Sequence, residues 1–105
     1  MSVPVSATVT LSAKKTGDGA TVDFTAPMRH VSMVVAPAGT VTTAIVGLEA
    51  SHDGTVWVSI TSRDVHPTVP FALDSNAGAY RYWRGKILAD VAGGGTVSAT
   101  LMGVA

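Results

Sequence analysis

The chain has 105 residues, no cysteine, and seven Lys plus Arg balancing seven Asp plus Glu, which fits one domain. It excludes disulfides, thiolate metal sites and a cysteine nucleophile without fixing a redox compartment. Only 13% of the residues are charged, about half the usual share, so the basic excess that displaces counterions from a phosphate backbone is missing and no nucleic-acid partner is expected.

The N-terminal "MSVPVSATVT" has no positive region before an apolar block, so no secretory signal is visible. Residues 1–6 read as an arm, containing Pro4 and small residues, ahead of a single domain over 7–105. In "ATVTLSA", Ala7, Val9, Leu11 and Ala13 share one face, and "TGDG" then supplies a tight turn. "ATVDFTA" answers it with Ala20, Val22 and Phe24 inward, which predicts a first hairpin. After Pro27, "HVSMVVA" places Val31, Met33 and Val35 together. "VTTAIVGLEA" is nearly continuous in apolar residues and reads as a central strand, covered on both faces or meeting a neighbouring subunit.

"SHDG" turns the chain into "TVWVSIT", with Val56, Val58 and Ile60 on one face and Trp57 on the other. "RDVHPTVPFALDSNAGA" is the longest irregular stretch and the expected contact-bearing loop. "YRYWRGKILADV" returns to a strand that sets Tyr80, Tyr82, Arg84 and Lys86 against Arg81, Trp83, Gly85, Ile87 and Ala89. "AGGG" reads as a hairpin turn, and "TVSATLMGVA" closes the chain with Val97, Ala99, Leu101 and Gly103 in register. Thr, Ser and Gly interrupt the apolar residues every two or three positions, so no membrane span and no membrane partner is expected. The pattern predicts an all-β, single-domain β-sandwich or flattened barrel of about seven or eight antiparallel strands, with no helix.

Candidate chemistry is thin. Glu49, His52 and Asp53 could be imagined as metal ligands, but His52 and Asp53 are adjacent at a turn tip and point apart, so no metal site is assigned. Asp53-Gly54 reads instead as the turn pair of a hairpin, the Asp53 carboxylate folding onto a backbone N–H and Gly54 taking the left-handed conformation. Trp57 follows as a packing anchor. His30 and His66 lie in separate segments, and His66 is held extended by Pro67. No serine sits in a G-x-S-x-G elbow, and Gly93, Gly94 and Gly95 lack the strand-to-helix context of a phosphate cradle. No catalytic residue and no cofactor is assigned, and an enzyme is not expected.

"YRYWR" admits three readings: a strand whose aromatics cover the core edge under arginine stems, a protein-contact surface, or a stacking platform for bases or sugars. The contact residues expected are Ser2, Val3, Pro4, Val5, His66, Pro67, Pro70, Phe71, Tyr80 and Trp83.

The stretch "VGLEASHDGTVWVSI", a proline-bearing loop, then "AGAYRYWRGKILADVAGGGTVSATLMG" resembles small structural proteins of tailed bacteriophages. Their pattern runs L-E-G-S, a D-G-T turn, W, a loop, A-R-Y-x-R, a Gly-rich turn and a terminal V-t-A-x-i strand. The resemblance covers about Val46 to Gly103. A related cadence occurs in discoidin-like and other carbohydrate-binding sandwiches. The resemblance marks Leu48, Glu49, Ser51, Asp53, Gly54, Trp57, Tyr82 and Arg84 as scaffold, with Glu49 and Arg84 expected to pair across strands. Ala50 stands where the pattern has Gly, and Trp83 where it has a small aliphatic.

The resemblance implies a non-catalytic virion component, foremost a capsid decoration protein located on the capsid surface and assembled in the host cytoplasm. Its implied partners are the major capsid protein and itself, as a homo-oligomer for which a trimer is one form. Alternatives are a carbohydrate-binding module on a virion surface or tail tip, with a glycan as partner, and a tail-tube or head-completion subunit.

Overall fold

The computed structural model describes residues 8–65, 69–76 and 78–104. Their strands are β1 (Thr8–Lys14), β2 (Gly17–Asp18), β3 (Val22–Met28), β4 (His30–Ala38), β5 (Thr43–Ser51), β6 (Val58–Asp64), β7 (Phe71–Ser75), β8 (Tyr80–Ala92) and β9 (Thr96–Val104). All pair antiparallel, in two sheets. One sheet runs β1-β9-β4-β7; the other runs β2-β8-β5-β6, with β3 also paired to β8. This is a β-sandwich, and no described residue is helical.

Alternation places the core. In β4, Val31, Met33 and Val35 are fully buried, and their β9 partners Gly103, Leu101 and Ala99 face the same way. From the other sheet, Val46, Leu48 and Ala50 of β5 and Trp83 and Ile87 of β8 point back at them. Each such side chain contributes about 1.5–3 kcal/mol on burial, which is the principal force holding the two layers together. The layers meet closely at Gly85, where a Cβ would lie 3.0 Å from both Leu11 Cδ1 and Met33 Sδ. A side chain there would push one sheet off the other.

β5 is the central strand that its apolar run predicts. Toward its C-terminal half its outward positions are covered from within the chain, Glu49 opposite Arg84 and Gly47 beneath Leu88, whereas Ile45 is 38% exposed.

Four expectations are corrected. The first hairpin does not form: β1 pairs with β9, whereas β3 pairs with β8, so "TGDG" carries the chain from one sheet to the other. "AGGG" likewise crosses between sheets instead of closing a hairpin, because β9 pairs with β1 and β4 and not with β8. The crossing is held by Thr42 N–H donating to Ala92 O at 2.8 Å and Gly95 N–H donating to Thr40 O at 2.8 Å.

Third, Val9 and Leu11 do not share a face, because the register shifts between them. Thr10 turns inward at this bulge. Its hydroxyl donates to Ala20 O at 2.7 Å and accepts from Gly85 N–H at 2.9 Å, while Val9 is left 55% exposed. Fourth, the irregular stretch contains β7, which pairs with β4 from Val31↔Ser75 to Val35↔Phe71 and raises the strand count to nine. Its short alternation follows Pro70 and was masked by the prolines around it.

Candidate functional site

The polar residues that the sequence singles out converge on one end of the outer face of the five-stranded sheet, where residues 52–57 join β5 to β6. The Ser51 hydroxyl donates to Asp53 Oδ1 at 3.0 Å and accepts from the Asp53 and Gly54 N–H groups at 3.2 and 2.9 Å. Asp53 Oδ1 also accepts from Thr55 N–H at 2.8 Å and Val56 N–H at 2.9 Å. These backbone amides, Val56 foremost, then Thr55 and the Ser51 hydroxyl, hold the Asp53 carboxyl below the usual aspartate value. Gly54 has φ of +80°, the left-handed conformation expected of it. The loop is a self-satisfied turn, as the Asp53-Gly54 reading predicts.

Beside it, Arg84 Nε donates to Glu49 Oε1 at 2.8 Å, the cross-strand pair expected from the resemblance. The guanidinium lies 4.1 Å from the Trp57 ring centroid and 3.5 Å from Asp18. Little of either side chain in the Arg84–Glu49 pair reaches solvent. Trp57 is half-buried and packs on a cation, so it anchors the sheet face and not the hydrophobic core. Two residues before Arg84 on β8, Tyr82 packs against Gly54, and Arg81 lies 5.1 Å from the Tyr82 ring.

Arg81 is itself clamped by Asp23, with Nε 2.6 Å from Oδ1 and Nη2 2.9 Å from Oδ2. That contact with Arg81, followed by a bond from Thr25 N–H, lowers the Asp23 carboxyl below its usual range. Sequence reasoning missed this clamp. The signal lies in register: Asp23 stands opposite Tyr82, which places its carboxylate next to Arg81, and no spacing within either strand reveals it.

Three expectations for this face change. Trp83 is fully buried, its indole N–H donating to Tyr80 O at 2.8 Å, and it presents no surface to a partner. The alternation of β8 points it inward with Gly85 and Ile87, so the large side chain that departs from the phage pattern fills the core. Tyr80 is half-buried between His52, stacked at 4.4 Å, and the edge of Trp83 at 5.8 Å. Val56 and Val58, read as an inward face with Ile60, are 69% and 44% exposed: Val56 belongs to the 52–57 loop and Val58 begins β6, the outer edge of its sheet.

Glu49, Asp53 and His52 are thus committed to Arg84, to loop amides and to the Tyr80 ring respectively, and they do not converge on a common point. Among the described residues no three His, Asp or Glu groups gather as a metal site. Pro70 is exposed and Phe71 half-buried under Arg63, whose guanidinium lies 4.6 Å from the ring centroid. Ser2, Val3, Pro4 and Val5, and His66 and Pro67, lie outside the described residues. A shallow depression lined by His30, Asp74, Ser75 and Asn76 opens on the four-stranded sheet where β4 begins and β7 ends.

No family model matches the chain, and no curated protein matches it. Among solved structures, the chain is similar to the crystal structure of the SPBc2 prophage-derived protein YomS. That likeness has a TM-score of 0.66 over 100% of this chain and 96% of that chain, at 12% sequence identity. At that identity the likeness is one of fold.

Proposed function

We propose that this chain is a non-enzymatic structural subunit of a tailed bacteriophage particle, a decoration protein that binds the outer surface of the head and reinforces contacts between major capsid subunits. The observation that carries this reading is the end-to-end likeness of fold to a prophage-derived protein. It agrees with the phage-like motif run through β5, β8 and β9. The commitments of Glu49 to Arg84, of His52 to the Tyr80 ring and of Asp53 to its loop amides leave these residues structural work. Function then rests on surfaces, and each copy on a shell contributes a modest interface that repetition multiplies.

Pro70, Phe71 and Tyr80, with the segments 2–5 and 66–67, are the contacts proposed toward the capsid. A glycan platform built on Tyr80, Tyr82 and Trp83 is disfavoured by the inward position of Trp83. Cryo-electron microscopy of intact particles carrying the protein tests the reading. Density for repeated copies on the head exterior is the expected result. Density confined to the tail or to the head–tail junction would replace it with the tail-tube or head-completion alternative.

A further inference from the structure

The two central strands of the four-stranded sheet, β4 "HVSMVVAPA" and β9 "TVSATLMGV", contain no Asp, Glu, Lys or Arg. Their outward residues line up across the sheet. Val9, Thr100, Val34 and Ala72 form one row, and Met102, Ser32 and Asp74 form the next. Val9, Val34 and Met102 are 55%, 50% and 44% exposed. Asp74 is the one charged residue in these rows, and it sits on the edge strand. By contrast, β8 of the opposite sheet carries Arg81, Arg84, Lys86 and Asp90.

We infer that this face packs against the same face of a second copy, forming a twofold dimer with Val34 near its axis. Charge complementarity selects the occupant. A partner that brings charges to this surface would have to bury them with no counter-charge on β4 or β9, a costly arrangement. The face's own copy brings none from β4 or β9, and its one charged residue, Asp74, stands on the edge strand β7. Extent is adequate as well. The four strands have seven, nine, nine and five residues; at about 3.3 Å rise per residue and about 4.8 Å between strands they give a flat footprint of about 480 Å². Side chains corrugate this surface and add to its accessible area, which places it among the smaller specific interfaces, of about 600 Å² per partner. A face that meets itself closes as a twofold pair, so the dimer, and not a trimer, is the expected unit.

The inference does not depend on the virion reading: a monomer would overturn the first and leave the second standing. Sedimentation of the full chain over a concentration series is the test, with the oxidation rate of Met102 by peroxide as a second readout. The wild-type chain is expected to form a dimer, and Met102 to be protected as dimer accumulates. Val34→Lys places a lysine near the axis twice per dimer and is expected to weaken association by a hundredfold or more. Leu88→Lys on the opposite face is expected to leave association unchanged. Should Val34→Lys fail to fold by circular dichroism, Thr100→Lys and the wild-type protection of Met102 carry the same test. A monomeric wild-type chain, a trimer, equal weakening by Leu88→Lys, or Met102 that is reactive in isolated chain and protected only on particles would each overturn the inference. The last outcome would assign the face to a different protein.

Discussion

The two outer faces of this sandwich solve opposite problems. On the five-stranded sheet, charged and aromatic side chains are locked to one another: Arg84 between Glu49 and Trp57, Arg81 on Asp23, and Ser51 and Asp53 under their loop amides. On the four-stranded sheet, β4 and β9 present Val34, Met102, Ala36 and hydroxyl residues with no charge among them. One face satisfies its charges within the chain, although Leu88 stays 45% exposed on it. The other has apolar area that only association would cover. Near-zero net charge removes the electrostatic obstacle to such association.

The largest effect expected on the five-stranded face comes from beneath it. Trp83→Ala removes the largest fully buried side chain and should cost about 3–5 kcal/mol in chemical denaturation, enough to unfold a marginal domain. Removing one partner of the Arg84–Glu49 pair comes next. Glu49→Ala should cost about 3 kcal/mol because it leaves a largely buried guanidinium without its carboxylate. The double change Glu49→Ala with Arg84→Met should cost clearly less than the two single losses added together. Strict additivity would mean that the pair is not coupled.

Smaller changes probe the loop. Ser51→Ala strips one acceptor from two loop amides and should cost about 1 kcal/mol, and Gly54→Ala should cost about the same by forcing a side chain into a left-handed conformation. On the open face, Val34→Lys should change monomer stability by less than about 0.5 kcal/mol, so a large loss there would mean that this face is not free in the monomer.

Acid gives the mildest test. Asp53 and Asp23 are stronger acids in the folded protein than in the unfolded chain, so the unfolded state binds protons more readily. Their contribution is complete above the unfolded-chain value of about 3.9 and drains away as pH falls through the lower folded values. Asp53→Asn should therefore flatten the decline in stability below about pH 4, measured by urea unfolding at a series of pH values. An unchanged slope would mean that the loop amides do not perturb this carboxyl.

Much of this architecture is legible in the sequence where alternation is strict. Val31, Met33 and Val35, and likewise Val97, Ala99 and Leu101, face inward as their period of two requires. The Asp53-Gly54 turn was equally readable, since its chemistry is local. What could not be read is which strands pair. The turn residues of "TGDG" and "AGGG" look the same whether the chain folds back beside itself or crosses to the other layer, so both crossings passed for hairpins. Two register shifts, between Val9 and Leu11 and between Leu11 and Lys14, defeated alternation in β1, because one extra residue reverses every side chain beyond it. Trp83 illustrates the same limit in the site. Composition marks it as a contact residue, and only the phase of β8 shows that it points inward.

The charge-free face is tested most directly by single thiols in a chain that has no cysteine of its own. Facing sheets lie about 10 Å apart, too far for a disulfide, so a short bis-maleimide is the suitable bridge between copies. The account predicts that Val34→Cys is captured as a covalent dimer at concentrations where the native chain associates, while Leu88→Cys stays monomeric. Equal capture at both positions, or capture at Leu88→Cys alone, would contradict it.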